Sequence, residues 1–296
     1  MDRTKIDETL VRSLLHDQHP DLAGLALKQF DGGWDNQMWR LGEDLAIRLP
    51  MTPRGPALLE NERRWMPDLA LRLPLPVPVP IRFGEPTEYF PNPWTVTTWV
   101  PGEPADAVPA ENGPESAEAL AAFLTALHQQ APANAPVNPN RGISLRQFPE
   151  GSGRHLKSEQ YSGDLAPLQD IWDAALEAEE WTGPPVWLHG DLHPANALVT
   201  DGTLSGVIDF GELCAGDPAC DLAAVWILLP EGAVAGCIEA YPLADEAMIR
   251  RARGWAIHRA FGLLQVGHAG EMGWAGGKIT WKQAGELTLQ RVLATL

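Results

Sequence analysis

The segments WLHGDLHPAN, residues 187–196, and GVIDFG, residues 206–211, carry the pattern that decides the fold. Between them, two apolar runs flank the dipeptide Asp201-Gly202. A two-residue Asp-Gly loop between apolar runs is a strong signal for a β-hairpin, because both residues tolerate the positive φ angles of a tight hairpin turn. The sequence therefore predicts a hairpin that brings the two segments side by side.

The predicted hairpin places two polar side chains together at its open end. With Thr200 and Thr203 flanking the turn, Asn196 falls opposite Val207 and diagonal to Asp209. Side chains two residues apart on a strand share a face, so Asn196 and Asp209 are predicted to point the same way. An amide oxygen and a carboxylate in this arrangement suit Mg²⁺, which binds a few protein oxygens and keeps its other positions for water and phosphate.

The spacing of the polar residues also matches a phosphotransfer pattern. Four residues separate Asp191 from Asn196, as in the kinase motif H-R-D-x-x-x-x-N, and Asp209 stands where D-F-G has its aspartate. In that pattern the first aspartate accepts the proton of the substrate hydroxyl, and the other two residues hold metal. Asp191 precedes the first strand, on a loop from which its side chain can face the same space.

With His-Gly-Asp in place of His-Arg-Asp, the chain resembles the aminoglycoside phosphotransferase family of small-molecule kinases over nearly its whole length. The resemblance implies an α+β, bilobal, protein-kinase-like fold. A small β-rich, nucleotide-binding lobe would occupy residues 1–100. A larger, mainly helical lobe, for catalysis and acceptor binding, would occupy residues 101–296.

The same resemblance assigns roles to the residues of the motif. It implies that Asp191 is the catalytic base, that Asn196 and Asp209 are Mg²⁺ ligands, and that His189 orients the loop. An ordinary hairpin with polar ends is the alternative. Zinc binding by His189 and His193 is disfavoured, because the intervening glycine and the following proline spoil the helix that such an i, i+4 pair needs.

The amino-acid composition limits the classes of molecule that the protein is expected to bind. The 296 residues include 22 Lys and Arg against 39 Asp and Glu, a formal net charge of −17. Such a field repels nucleic acid and anionic membranes and attracts cationic ligands, although solubility or adaptation of a whole proteome would also account for it. The three cysteines are odd in number and lack a ligand-like spacing, so neither a disulfide framework nor a zinc site is expected.

The N-terminal residues and the hydropathy of the chain predict the cellular compartment of the protein. The first ten residues contain acidic side chains and lack the apolar core of a signal peptide. No apolar run approaches the roughly 18 residues that mark a membrane span. A soluble protein of the reducing cytoplasm is expected, while the oligomeric state is left open.

The first hundred residues contain a glycine-bearing loop between predicted strands. Residues 25–30 and 36–41 form the strands on either side of it, and residues 45–49 form a third. Gly32 and Gly33 in the first loop would let backbone amides approach phosphate oxygens. A plain turn is the common alternative, and the loop matches neither the Walker pattern nor the protein-kinase glycine loop.

A buried ion pair is predicted in the same lobe. Arg48, in the run Leu-Ala-Ile-Arg, stands where protein kinases have the lysine that contacts nucleotide phosphates, and a surface arginine is the alternative. On the following helix, residues 56–66, Glu62 falls within the apolar stripe, whereas Glu60 points away. Because a carboxylate on a buried stripe needs a cationic partner, Glu62 is predicted to pair with Arg48.

The junction of the two lobes is predicted where the strand at residues 94–100 ends. In the related kinases the adenine ring sits against this hinge and bonds backbone groups. The resemblance alone therefore implies that the Thr98 carbonyl and the Val100 amide bind the nucleotide, which would be ATP or GTP.

The remaining residues show helical patterns. Residues 115–130 form a clear amphipathic helix, beside which His128 is expected to be structural. The resemblance suggests that Asp221 braces the catalytic loop, although an acidic residue in a first helical turn is an equal alternative. Glu212 and Glu271 would suit the ammonium groups of an aminoglycoside, but solvated surface carboxylates are the commoner explanation.

The leading functional hypothesis is transfer of the γ-phosphate of a magnesium nucleotide to a hydroxyl of an aminoglycoside-like antibiotic. The charge favours a cationic small-molecule acceptor. A kinase of the same fold for a macrolide, a choline-like alcohol or a sugar is the first alternative. A non-catalytic nucleotide-binding protein is the second, raised by the arginine at position 48.

Overall fold

The computed structural model describes residues 6–30, 33–148 and 160–295. The chain divides into two compact units, which comprise Met1–Leu71 with Pro76–Val100, and Arg72–Leu75 with Pro101–Leu296. The first is built around an antiparallel sheet and the second mainly from helices, so the predicted α+β class is confirmed.

Over its described residues, the first unit is a five-stranded sheet with two helices. Its elements in chain order are α1 (Glu8–Gln18), β1 (Leu27–Phe30), β2 (Asn36–Leu41), β3 (Leu45–Pro50), α2 (Gly55–Leu69), β4 (Pro80–Gly84) and β5 (Trp94–Thr98). The strands follow the order β1-β2-β3-β5-β4, and each neighbouring pair is antiparallel. The three predicted strands at the start of the chain and the helix that follows them are all present, with bounds that shift by a few residues.

The core of this unit lies between the sheet and α1. Val11, Leu14 and Leu15 on α1 are buried at the spacing of one helical face. They belong to one apolar cluster with residues of the strands, including Trp39 and Trp94. This packing holds the sheet that carries Arg48.

The described part of the second unit contains two small sheets among helices. Its elements in chain order are β6 (Glu103–Pro104), α3 (Gly113–Leu127), α4 (Ala166–Glu177), β7 (Val186–Leu188), β8 (Ala197–Thr200), β9 (Thr203–Val207), β10 (Cys214–Gly216), α5 (Ala219–Leu222), α6 (Ala224–Leu228), α7 (Val234–Ala240), α8 (Glu246–Glu271) and α9 (Thr280–Ala294). One sheet has the order β6-β8-β9 and the other pairs β10 with β7. In the described part of the chain, no helix is both long and apolar enough to cross a membrane.

The hairpin at the Asp-Gly turn is present. Asp201 and Gly202 have φ angles of 50° and 76°, the positive values that a tight hairpin turn of this type requires. Thr200 pairs with Thr203 as predicted. The described backbone therefore contains the structural unit on which the sequence argument rests.

The register of the hairpin differs from the prediction by one residue beyond the turn. A β-bulge lies between Leu198 and Val199, so that Val207 pairs with Ala197 and not with Asn196. The predicted pairing of Asn196 with Val207 is therefore wrong. A bulge adds one unpaired residue to one strand and moves every later pair along by one.

Candidate active site

The loop after β7 is held by a buried carboxylate. Asp221, on the short helix α5, accepts hydrogen bonds from the backbone amides of His189, over 2.6 Å, and Gly190, over 2.9 Å. Its Oδ2 also lies 3.5 Å from Nε2 of His128. Burial opposes ionisation, but the hydrogen bond and charge of His128 and the backbone amide outweigh it and lower the pKa of Asp221. Asp221 thus braces this loop, and His128 supports it from a structural position.

His189 ties the loop to the far strand of the hairpin. Its Nε2 lies 3.0 Å from the carbonyl oxygen of Ile208, and its Nδ1 lies 3.1 Å from the amide nitrogen of Asp191. These partners assign the neutral tautomer, in which Nε2 donates and Nδ1 accepts. Burial lowers the pKa of His189, which favours that neutral form. With both ring nitrogens engaged, His189 orients the loop and is unsuited to ligate zinc.

The carboxylate of Asp191 is partly exposed and paired with cations. Its side chain is 25% exposed, and its Oδ1 lies 2.7 Å from Nη1 of Arg259 and 3.2 Å from Nη2 of Arg141. Its Oδ2 lies 3.4 Å from Nε2 of His193. Burial opposes ionisation, but the hydrogen bond to His193 and the charges of His193, Arg259 and Arg141 hold the pKa of Asp191 well below its usual range.

Asn196 is fixed next to Asp191. It ends a 3₁₀ turn, Pro194–Asn196, and its Nδ2 donates to the carbonyl oxygen of Asp191 over 3.0 Å. The main-chain carbonyl of Asn196 accepts a hydrogen bond from the main-chain amide of Ile208 over 2.9 Å. Asn196 therefore faces Ile208, the residue before Asp209. The amide nitrogen is therefore committed, and Oδ1 is the atom of this side chain that suits a cation.

Asp209 follows the last residues of the hairpin in an unusual backbone conformation. Its φ of 64° and ψ of 70° lie in the left-handed region, which few residues other than glycine adopt. The alternation of side chains along a strand therefore stops before Asp209, and the predicted shared face does not explain where its carboxylate lies. A 3₁₀ turn, Phe210–Glu212, begins directly after it. Strained backbone of this kind is common at functional sites.

The first unit contains the predicted ion pair. Nη1 of Arg48 donates to Oε2 of Glu62, and the two side chains are only 6% and 5% exposed. Glu60, two residues earlier, is exposed, and its Oε2 lies 3.8 Å from Nη1 of Arg63. Glu62, and not Glu60, is therefore the buried partner of Arg48, as predicted.

The structure gives the positions of some, but not all, of the other residues predicted to contact the nucleotide in the first unit. Gly32 lies outside the described residues. Gly33 is required by its turn, because an added Cβ would come within 2.0 Å of the Asn36 carbonyl oxygen. Thr98 is the last residue of β5, and its amide donates to the carbonyl of Val79 over 3.0 Å. Val100 is buried. Binding of nucleotide by these groups stays a prediction.

The acidic residues considered for acceptor binding are engaged within the protein. Glu212 accepts a hydrogen bond from Nδ2 of Asn138 over 2.6 Å. Glu271 lies 2.6 Å from Nζ of Lys282 and 3.7 Å from Nδ1 of His268. Both carboxylates are therefore partly satisfied, which weakens the argument for them as ammonium ligands.

Two arginines beside Asp191 were not predicted from the sequence. Arg141 and Arg259 contact its carboxylate, and the ring of Trp281 lies 4.6 Å from that of His193. A signal for Arg259 was present in the sequence, since it lies four residues after Trp255 on the apolar face of α8. A cation on a buried helical face needs an anionic partner, just as the carboxylate of Glu62 needs a cationic one.

A family model, described as the phosphotransferase enzyme family, matches residues 26–261. Because that match covers most of the chain, the protein belongs to this family.

Two curated relatives are aminoglycoside 3′-phosphotransferases. The one from Escherichia coli is 32% identical over 145 residues, which are 47% of this chain and 53% of that protein. The one from Salmonella typhimurium is 30% identical over 170 residues, which are 51% of this chain and 62% of that protein. The chain thus spans less than two thirds of either relative's length.

Solved structures resemble the chain over almost its whole length. Aminoglycoside 2′-phosphotransferase-IIIa in its GDP complex has a TM-score of 0.70 and 20% identity, over 98% of this chain and 100% of that one. A macrolide 2′-phosphotransferase from Brachybacterium faecium has a TM-score of 0.60 and 22% identity, over 93% and 97%. At these identities the similarity establishes the fold that this chain shares with antibiotic phosphotransferases.

Proposed function

We propose that this protein transfers the γ-phosphate of magnesium-bound ATP or GTP to a hydroxyl group of an aminoglycoside-like acceptor. The observation that carries the proposal is the carboxylate of Asp191. It is partly exposed at 25%, its loop is braced by Asp221, and its backbone carbonyl is bonded to Asn196. A rigid carboxylate of this kind suits a group that must align an attacking hydroxyl.

In the proposed reaction Asp191 is the catalytic base. The acceptor oxygen attacks the γ-phosphorus, its proton passes to the carboxylate, and the bond from the γ-phosphorus to the β-γ bridging oxygen breaks to release the nucleoside diphosphate. Oδ1 of Asp191 is occupied by the two guanidinium groups, whereas Oδ2 faces the less tightly bound His193. We therefore assign Oδ2 as the oxygen that receives the proton.

Asn196 and Asp209 are the proposed Mg²⁺ ligands. An amide oxygen and a carboxylate are the hard donors that this cation prefers, and the orientation of the Asn196 amide supports the assignment because its nitrogen is already bonded. The described residues hold no group of three or more His, Cys, Asp and Glu side chains suited to a metal ion. Bound Mg²⁺ would neutralise charge that develops on the phosphates.

The first unit is proposed to bind the nucleotide. Arg48, oriented by Glu62, would contact phosphate oxygens, and its planar guanidinium would do so with a geometry different from that of a lysine. The remaining proposed contacts come from backbone groups, namely Gly32, Gly33, Thr98 and Val100. Residues 1–100 are accordingly proposed as the nucleotide-binding domain and residues 101–296 as the domain for catalysis and acceptor binding.

The acceptor class rests on the relatives and on charge. The curated relatives are aminoglycoside 3′-phosphotransferases, and a net charge of −17 attracts polycations. We place the reaction in the cytoplasm, where nucleoside triphosphates are abundant.

An acceptor with an apolar face, such as a macrolide, is the second candidate. Glu212 and Glu271 are engaged by neighbouring side chains, and Trp281 lies against His193, the neighbour of Asp191. Trp274, on the connection to the helix that carries Trp281, is 60% exposed. Trp281 itself is buried, but aromatic side chains of this segment would suit a hydrophobic antibiotic more than a polycation.

A nucleotide-consumption assay over aminoglycosides, macrolides, choline and simple sugars tests both candidates. The proposal expects turnover with an aminoglycoside that depends on Mg²⁺ and is lost in Asp191→Asn. Turnover with macrolides alone would establish the second candidate. If nucleotide bound but no acceptor were phosphorylated, the protein would belong with non-catalytic nucleotide-binding proteins.

A further inference from the structure

Arg259 makes a two-point contact with the loop that carries Asp191. Nη1 lies 2.7 Å from Oδ1 of Asp191, and Nη2 donates to the carbonyl oxygen of Gly190, the preceding residue. Nη2 also lies 3.8 Å from Sγ of the buried Cys220. The side chain of Arg259 is only 9% exposed, and it projects from the middle of α8. One guanidinium group therefore contacts both the carboxylate of Asp191 and the backbone of the loop.

The contact from Arg259 complements the contact from Asp221. Asp221 accepts the amide hydrogens of His189 and Gly190, whereas Arg259 donates to the Gly190 carbonyl and to the Asp191 carboxylate. The loop is thus held through its donors by an anion on α5 and through its acceptors by a cation on α8. Gly190 has a φ of 80°, and an added Cβ would lie 2.7 Å from the Glu212 carbonyl oxygen, so the close packing here leaves no space for a side chain.

We propose that Arg259 is a positioning residue, which fixes Oδ1 of Asp191 so that Oδ2 is presented to the acceptor hydroxyl. This inference rests on the proposed function. Arg141 shares the same carboxylate oxygen, but its side chain is 23% exposed and its contact is longer, at 3.2 Å. Arg259 is therefore the dominant anchor of the pair.

Orientation is the physical reason why such an anchor would help catalysis. A guanidinium beside a carboxylate makes it a weaker base, which would be costly if proton removal limited the rate. Phosphoryl transfer passes through a loose transition state, in which protein groups act by alignment and charge more than by proton abstraction. A displacement of a catalytic group by about 1 Å can lower the rate around a hundredfold. Fixing Oδ1 therefore gains alignment, and the accompanying loss of basicity costs little in rate.

The test compares Arg259→Met and Arg259→Lys with the matched control Arg250→Met. Arg250 lies on the same helix, is exposed, and pairs only with Glu246 among the described residues. Arg259→Met should lower kcat about a hundredfold while the KM for nucleotide changes less than about threefold. Arg259→Lys keeps the charge but loses the fork, so it should recover about tenfold of that loss. Arg250→Met should match the wild type.

A purely structural role would give a different result. It would lower the melting temperature and the yield of folded protein, but leave kcat per folded molecule within about threefold of the wild type. That outcome, or a loss of kcat in Arg250→Met equal to the loss in Arg259→Met, would overturn the proposal.

A second measurement separates this inference from the proposed function. A double-mutant cycle of Arg259→Met with Asp191→Asn, followed by urea unfolding, should show a coupling of about tenfold in the unfolding equilibrium constant. Absence of coupling would overturn the positioning role whether or not any acceptor is phosphorylated. A wild-type protein that transfers no phosphate would overturn the proposed function, and the coupling would then still decide whether Arg259 holds the carboxylate.

Discussion

The side-chain amide of Asn196 donates a hydrogen bond to the main-chain carbonyl of Asp191, 3.0 Å away. This bond joins the proposed base to a proposed metal ligand through the backbone, so that a change at one position disturbs the other. It also sets the direction of the amide oxygen. The short segment 191–196 therefore behaves as one unit, which explains why the spacing of its two polar residues matters.

Asn196→Ala removes both the amide oxygen and this hydrogen bond. We expect the apparent affinity for Mg²⁺, measured by titration of activity, to fall at least about tenfold, a typical cost of disturbing a metal site. Asn112→Ala is the matched control, because Asn112 bonds the carbonyl of Asp201 at the other end of the hairpin. An unchanged Mg²⁺ dependence in Asn196→Ala would refute its role as a ligand.

Asp191→Asn keeps the shape of the side chain but removes its capacity to accept a proton. We expect kcat to fall by about 10² to 10⁴, the usual contribution of a general base, while the Kd for nucleotide stays within about threefold. Asp173→Asn, at an exposed position on α4 where the carboxylate accepts from Gln169, should have no effect. Turnover within tenfold of the wild type would show that another group takes the proton.

The hairpin and the buried ion pair were predictable because each depends on local chemistry. An Asp-Gly turn needs positive φ angles, and Glu62 lies on an apolar helical stripe, so both can be read from nearby residues. The bulge beside Leu198 was not predictable, since a bulge depends on how the strand packs against its neighbours. The left-handed backbone at Asp209 has the same origin in tertiary structure.

The surroundings of Asp191 were harder to predict than the residue itself. Arg259 is 68 residues away along the chain, and Arg141 is 50 residues away on an irregular segment. Burial predicts that a cation such as Arg259 needs an anionic partner, but many carboxylates are available in so acidic a chain. Only the packing of α8 against the loop selects Asp191.

Glu62→Gln should destabilise the first unit far more than Glu60→Gln. Loss of one partner leaves Arg48 as a buried charge, and breaking a buried pair costs about 3 kcal/mol or more of unfolding free energy. Glu60 is exposed, so its substitution should stay within about 0.5 kcal/mol. Urea unfolding measures both, and the KM for nucleotide should rise in Glu62→Gln alone. Equal stabilities of the two variants would show that the buried pair is energetically unimportant.

Asp221→Asn tests the brace of the catalytic loop through its pH dependence. The carboxylate accepts two backbone amides and faces His128, so the substitution should cost about 3 kcal/mol of unfolding free energy at pH 7. The pKa of Asp221 in the folded protein lies below its unfolded value, which is about 3.9 for an aspartate. The stabilisation is therefore fully present above about pH 4 and is lost as the pH falls through the lower, folded pKa.

The difference in unfolding free energy between the wild type and Asp221→Asn should consequently shrink as the pH falls below about 4. Urea unfolding at a series of pH values measures it directly. A difference that grew on acidification would mean that burial, which opposes ionisation, outweighs the hydrogen bonds from His189 and Gly190. The brace would then act as a neutral acceptor, and its pairing with His128 would contribute little to holding Asp191 in place.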